Sequence, residues 1–380
     1  MQNTFRLLAA AAVVAAIPRT LLAADAPAAP AAPAAPALAD VLTSSGLTVS
    51  GYVAGSYYTS NGYPGGLHQF DQDHNTFQLD QANLTVAYQP KTGFGALVDV
   101  IAGEDAKILH TAEDGNATSW DVKQAFVQYV GGPLTLIAGK YVTLAGNEVI
   151  APTGNTNFSR SLLFDLNEPL THTGVRATWA VSDTLNLIGG VNDGWNTTST
   201  SYGSKTGEVG LAWTPNKIFA LTTQAYFGKV LVSPQTGIIV DAPLTLVDVV
   251  ATYNATSALT LVLNFDWDKQ EFRDSSSATW KGVAGYVNYA FNDQWRASLR
   301  LEYEDDTDGF LTGISGEKIK EATITFGYAP TKSFELRIEG RFDKTGDNIL
   351  FKTNPASEVG PDSSNLFEFA LQGVYKFPAM

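Results

Sequence analysis

From Leu47 to Phe377 the chain is built of segments in which apolar and polar side chains alternate with period two, and this limits its folds more than any other feature. In the last segment Phe367, Phe369, Leu371, Gly373, Tyr375 and Phe377 share one face, and Glu368, Ala370, Gln372, Val374 and Lys376 the other. Trp295, Ala297, Leu299, Leu301 and Tyr303 oppose Arg296, Ser298, Arg300, Glu302 and Glu304 in the same way. Phe334, Leu336, Ile338, Gly340 and Phe342 oppose Glu335, Arg337, Glu339 and Arg341, and Leu259 to Trp267 repeats the pattern, with aromatics gathered near strand ends. A helix has the wrong period to bury such faces. No run of about 20 apolar residues follows Leu47, so helical membrane spans are excluded.

Counting these runs predicts sixteen strands: 47–58, 76–88, 94–101, 121–130, 134–144, 172–180, 185–192, 207–214, 218–229, 245–254, 259–268, 280–291, 295–304, 319–329, 334–342 and 365–377. Short connections (89–93, 131–133, 181–184, 215–217, 255–258, 292–294, 330–333) alternate strictly with long ones. A soluble sandwich also has two-faced strands, but it need not alternate its loop lengths. The pattern predicts an all-β, transmembrane antiparallel β-barrel, an up-and-down meander with short periplasmic turns, long external loops and both termini in the periplasm. In 121–130 and 134–144, Lys123 and Lys140 fall in phase with apolar neighbours, which leaves the facing of these strands open and points to a bulge.

Composition agrees and excludes other classes. Only 16% of residues are charged and 44% are hydrophobic, and 24 basic against 38 acidic residues give −14, so the chain repels nucleic-acid backbones. Without cysteine there is no thiolate chemistry or disulfide, and four histidines leave little room for imidazole chemistry. Residues 1–24 order a basic residue, an apolar run and small residues as a secretory signal peptide does, with cleavage near Ala24, leaving a net charge of −16. The Ala/Pro-rich stretch within 25–46 reads as an extended periplasmic spacer, and 47–380 as the barrel.

Function belongs in the long loops. The longest runs from Ala145 to Thr171. Gly139-Lys140, Gly146, Glu148, Asn157-Phe158-Ser159-Arg160-Ser161, Phe164, Glu168-Pro169 and Thr171-His172-Thr173-Gly174-Val175, followed by VSDTLNLIGGVNDGW at 181–195, resemble the OmpL-like beta-barrel porins of Gram-negative bacteria. The resemblance implies an outer-membrane pore of the sixteen-strand type whose loop narrows the lumen, with no catalysis and no cofactor. Such barrels usually finish on an aromatic residue, whereas this chain continues past Phe377 to Pro378-Ala379-Met380, where the barrel-assembly machinery reads the end.

Within the loop, Arg160 is the first candidate for a pore constriction, with Glu148, Asp165 and Glu168 as acidic counterparts. Ser159-Arg160-Ser161 pinning the loop to the wall is the competing reading. On the inferred lumen face stand Arg176, Arg296, Arg300, Arg337 and Arg341 beside Asp248 and Asp266. The arginines at 296, 300, 337 and 341 either form a basic stripe across the pore or pair with adjacent glutamates. Metal-like patterns at 304–309 and at His68, Asp71, Asp73 and His74 read more simply as polar loops, and no metal or cofactor is expected. The function that follows is passive diffusion of small hydrophilic solutes or ions through a water-filled outer-membrane barrel embedded in lipid, with a homo-trimer as the analogy from other sixteen-strand pores. A substrate-selective channel, for sugars or small anions, is the rival, and would need an inner track of Tyr52, Tyr58, Tyr226 and Tyr286. A hydrolase or adhesin is the more remote reading.

Overall fold

The computed structural model describes residues 44–64, 66–199, 203, 205–232, 239–346, 351 and 363–377. The predicted signal peptide, the spacer up to residue 43, and Pro378-Ala379-Met380 lie outside the described residues. Sixteen strands follow in chain order: β1 (Leu47–Ser60), β2 (Thr76–Tyr88), β3 (Gly93–Ala102), β4 (Trp120–Gly131), β5 (Leu134–Val142), β6 (Thr171–Ser182), β7 (Leu185–Asn192), β8 (Thr206–Trp213), β9 (Phe219–Val232), β10 (Ile239–Asn254), β11 (Leu259–Glu271), β12 (Ser277–Ala290), β13 (Trp295–Asp306), β14 (Glu317–Thr331), β15 (Phe334–Lys344) and β16 (Asn365–Phe377). Each pairs antiparallel with its neighbour in sequence, and β16 closes on β1, from Gly51 opposite Phe377 to Ser60 opposite Glu368. The predicted strands are all present. The largest change is at β10, which starts at Ile239 rather than at 245.

Closure leaves no free sheet edge, and every strand sends alternate side chains outward. The outward set is apolar and unburied: Phe77 and Phe94 are 84% and 77% exposed. A surface of this kind is stable only against hydrocarbon. At the short-turn end Tyr88, Phe94, Tyr129, Trp179, Trp213, Tyr253, Trp295 and Tyr375 are all exposed. Phe94 packs at a tilt on Tyr129 across β3–β4 at 4.9 Å, and Trp295 stacks on Tyr328 across β13–β14 at 4.5 Å. These rings form one aromatic girdle at the membrane interface.

The β3–β4 ladder contains the bulge that the phase of Lys123 suggested. Asp99 pairs with Gln124 and Val100 with Val122, so Lys123 is the extra residue. The shift brings both Asp121 and Lys123 inside, while Val127 and Tyr129 face lipid. In β5, Gly139 takes a φ of 137°, a region that side chains disfavour, and the next residue, Lys140, is buried on Asp121 at 2.9 Å and Glu113 at 2.5 Å.

Among the described residues two α-helices lie in the long loops, and neither was evident from the alternation. Helix α1 (Glu104–Asp114), in the second long loop, ends on Gly115 in the left-handed conformation. Helix α2 (Leu162–Leu166), in the third, is capped by Ser161, whose hydroxyl accepts the Phe164 N–H at 3.1 Å. Ala106 and Leu109 of α1 pack with Ile101, Ile150, Phe164 and Leu170. The packed core of this molecule is therefore inside the barrel, formed where external loops fold into the lumen.

Candidate functional site

The third long loop, 143–170, first closes on itself. Asn155 bridges both backbone groups of Val149, accepting its N–H at 2.9 Å and donating to its carbonyl at 2.6 Å. Arg160 then donates to the carbonyls of Val149 (2.9 Å), Ile150 (2.7 Å) and Phe158 (2.7 Å), with its guanidinium over the rings of Phe70 and Phe164 at 5.3 and 5.7 Å. A guanidinium offers five donors in a fixed plane, so one side chain holds three carbonyls that would otherwise be buried unpaired. Arg160 is 2% exposed: the structure places it as a staple within the loop.

The loop then crosses the lumen and docks on the opposite wall. Arg296 donates to Thr156 O at 2.6 Å, Arg337 to Asn157 O at 3.2 Å and Pro152 O at 3.0 Å, Arg300 to Ser159 O at 3.0 Å, and Arg341 to Arg160 O at 2.7 Å. Wall carboxylates take the loop's donors: Glu339 accepts the N–H groups of Phe158 and Ser159 at 2.6 and 2.9 Å, and Glu302 that of Leu162 at 2.9 Å. Arg300 also meets Glu148 at 2.8 Å, Glu302 at 3.0 Å and Glu321 at 3.3 Å. Arg296 and Arg337 share Glu335, and Arg341 pairs with Asp343 at 2.8 Å. The four arginines of β13 and β15 are thus spent on carboxylates and loop carbonyls, and Arg300, Arg337 and Arg341 are buried. They present no bare basic stripe to the lumen.

Space remains on the other side of the loop. A cavity of about 470 Å³ lies between Glu148–Ala151 and the wall of β1 to β5, where Tyr52, Asn83, Asp99 and Lys123 line it, with Lys376 at β16. Asp99 and Lys123 pair at 3.0 Å. Of the four loop candidates only Glu148 reaches this cavity; Arg160, Asp165 and Glu168 are buried elsewhere in the loop. Arg176 pairs with Glu208 at 2.7 Å, and Asp248 and Asp266 stand buried beside Glu168. The four tyrosines make no continuous track. Tyr58 packs on Phe158 at 6.1 Å, Tyr226 accepts the Leu144 N–H at 3.1 Å, Tyr286 clusters with Leu163, and Tyr52 alone lines the cavity.

Burial governs the protonation of loop acids. It raises Asp165 to about 8, with the charge of Asp71 adding to it, and it raises Glu168 well above the carboxylate range, with Asp248 and Glu148 adding. His68, in the first long loop, loses basicity to burial and to Arg341, yet Asp71 at 3.1 Å, Asp343 at 3.5 Å and Glu368 at 3.6 Å outweigh both and raise it well above the usual imidazole value. The 304–309 loop holds no ion-like cage: Asp306 accepts the N–H groups of Phe310, Leu311 and Thr312, as a turn cap does. The bonds of Gln69 to Asp165, at 3.3 Å from its N–H and 2.9 Å from its amide, and the inward pair Asp99–Lys123 carry weight that the sequence did not single out. Only the odd phase of Lys123 gave a signal.

The family model described as "Putative beta-barrel porin-2, OmpL-like" matches residues 46–377. No curated protein matches the sequence. Among solved structures, the outer membrane channel DcaP of Acinetobacter baumannii is similar at 15% identity and a TM-score of 0.61, over 87% of this chain and 97% of that one. The trimer form of OmpT of Vibrio cholerae is similar at 12% identity and 0.61, over 87% and 99%. The anion-selective porin from Comamonas acidovorans is similar at 11% identity and 0.60, again over 87% and 99%. At these identities the likeness is one of fold.

Proposed function

The chain belongs to the OmpL-like beta-barrel porin-2 family of the outer membrane, and from that premise we propose that small hydrophilic solutes and ions diffuse passively through the space its third loop leaves beside β1 to β5. One observation carries this reading: the loop is clamped to β13 and β15 by interior arginines and glutamates, which narrows the lumen to one side rather than filling it. The path runs past Glu148, the Asp99–Lys123 pair and Lys376. Because these charges largely cancel, selectivity is weak. The −16 of the chain without its predicted leader tips it toward cations at low salt.

Liposome swelling with sugars of graded size tests the reading. Monosaccharides are expected to enter and large oligosaccharides to be excluded; no swelling with the smallest solute would refute it. The substrate-selective alternative loses its main support with the tyrosine track. We read the chain as non-enzymatic. His74 Nδ1 lies 3.2 Å from Ser60 Oγ, but among the described residues no carboxylate orients that imidazole, as a hydrolytic triad requires.

We carry the trimeric assembly of OmpT over to this chain, with β1, β2, β15 and β16 as the contact face. There a lipid-side groove runs over Gly55 and Gly373 between Tyr57, Phe77, Leu336 and Leu371. Sedimentation in detergent is expected to give three chains per particle; a monomer would remove this part of the proposal.

A further inference from the structure

The return end of the third loop meets a wall without arginines. Glu168 of the loop and Asp248 and Asp266 of β10 and β11 each bring a carboxylate oxygen within 4.8 Å of the others. Their relative exposures are 5%, 0% and 0%. Among the described residues none of the three forms an ion pair with a lysine or arginine, and neither do Asp268 and Glu304 nearby. Both oxygens of Glu168 lack any hydrogen-bond partner, and so does one oxygen each of Asp248 and Asp266.

The surroundings orient these oxygens rather than neutralise them. Asn264, between the two aspartates, donates to Asp248 at 2.8 Å and to Asp266 at 3.3 Å, and its own carbonyl accepts the Asn147 N–H at 2.8 Å. Gly146 has a φ of 83°, and the Glu168 carboxylate occupies the position that a Cβ on it would take. A side chain at 146 would bar Glu168 from the wall. Asp268, next on the inward face of β11, has both oxygens unpartnered and is fully buried.

Buried carboxylates this close cannot all stay charged without a counter-ion. The donors are oxygens only, with no imidazole or thiolate, which selects a hard cation. Ligand oxygens up to 4.8 Å apart suit an ion that holds each at about 2.3–2.6 Å. The cluster of His68, Asp343 and Glu368 differs, because Arg341 and the histidine already supply positive charge there. We propose that Glu168, Asp248 and Asp266 bind one Ca²⁺ ion, which ties the return end of the third loop to the β10–β11 wall. The loop is then fastened twice, by arginines on β13 and β15 and by the cation on β10 and β11.

The test uses the folded full barrel in detergent, stripped with EDTA and titrated with Tb³⁺. Trp280 faces Asp268 across the β11–β12 ladder and is placed to sensitise Tb³⁺ luminescence. The expected result is a saturable signal from one site, displaced by Ca²⁺, with a higher unfolding temperature in Ca²⁺ than in EDTA. Glu168→Gln and Asp266→Asn each lower the Tb³⁺ affinity by roughly tenfold or more. Asp308→Asn, in the exposed acidic loop, leaves it unchanged. Each variant must first show the heat-modifiable gel band of a folded barrel, and Asp248→Asn replaces any that does not. Absent Tb³⁺ binding, binding unaltered in folded Glu168→Gln, or binding lost in Asp308→Asn would each overturn the proposal; the first would mean that the cluster shares protons instead.

Discussion

At the scale of single residues, the lumen is organised by charges buried away from water, and their removal has a definite sign. Arg300→Ala leaves Glu148, Glu302 and Glu321 without their shared cation. Breaking a buried pair of this kind costs about 3–5 kcal/mol. That loss falls on loop docking and not on the strand ladder, so the barrel is expected to assemble while its single-channel current becomes larger and flickers. Arg300→Lys does not restore the quiet current, because one ammonium cannot serve Glu148, Glu321 and the Ser159 carbonyl together.

Asp165 adds a pH dependence. Burial raises its carboxyl to about 8, so the docked loop holds that proton more tightly than an undocked one. Docking is therefore strongest below about pH 4, where both forms are protonated, and weakens as the pH climbs to about 8. Flicker recorded at stepped pH is expected to grow across that window and to grow less steeply in Asp165→Asn, where Glu168 alone of the two loop acids still titrates; a level wild-type profile would contradict this. The charged residues of the loop were legible as candidates from their place in a long connection. Their partners were not, because Arg160 bonds backbone carbonyls and Arg300 meets a glutamate 152 residues away, and neither relation leaves a local pattern.

At the scale of elements, legibility follows periodicity. Strands whose outward face must be apolar and inward face polar write their register into the sequence, as β13, β15 and β16 do. Even the irregular β4 betrayed itself, since Lys123 broke phase where the ladder gains a residue. Helix α1 was missed because its eleven residues carry a mixed pattern, and its packing surface comes from Ile150, Phe164 and Leu170 of another loop. The bulge is open to test. Deleting Lys123 removes the extra residue and leaves a regular ladder in which Gln124 still faces Asp99 and Asp121 still faces Ile101, both inward, while Asp99 loses its ion-pair partner. The expected outcome is a folded band on a heat-modifiability gel for the deletion as for Lys123→Met; loss of that band in the deletion alone would contradict the reading of Lys123 as the extra residue.

At the scale of the whole molecule, the closed meander with its apolar exterior accounts for the membrane, and the loop folded back inside accounts for the channel's narrowness. The two are separable: β1 to β16 close without help from the loop, so the loop can be cut without opening the barrel. The most direct test of that division is single-channel conductance in a planar bilayer under a salt gradient, comparing the refolded chain with one in which 148–165 is replaced by a short Gly/Ser linker. The account predicts small, ohmic, weakly cation-leaning steps for the intact chain and several-fold larger steps, with still weaker selectivity, for the shortened one. Equal conductance in the two would contradict it, because the third loop would then not be what narrows the pore.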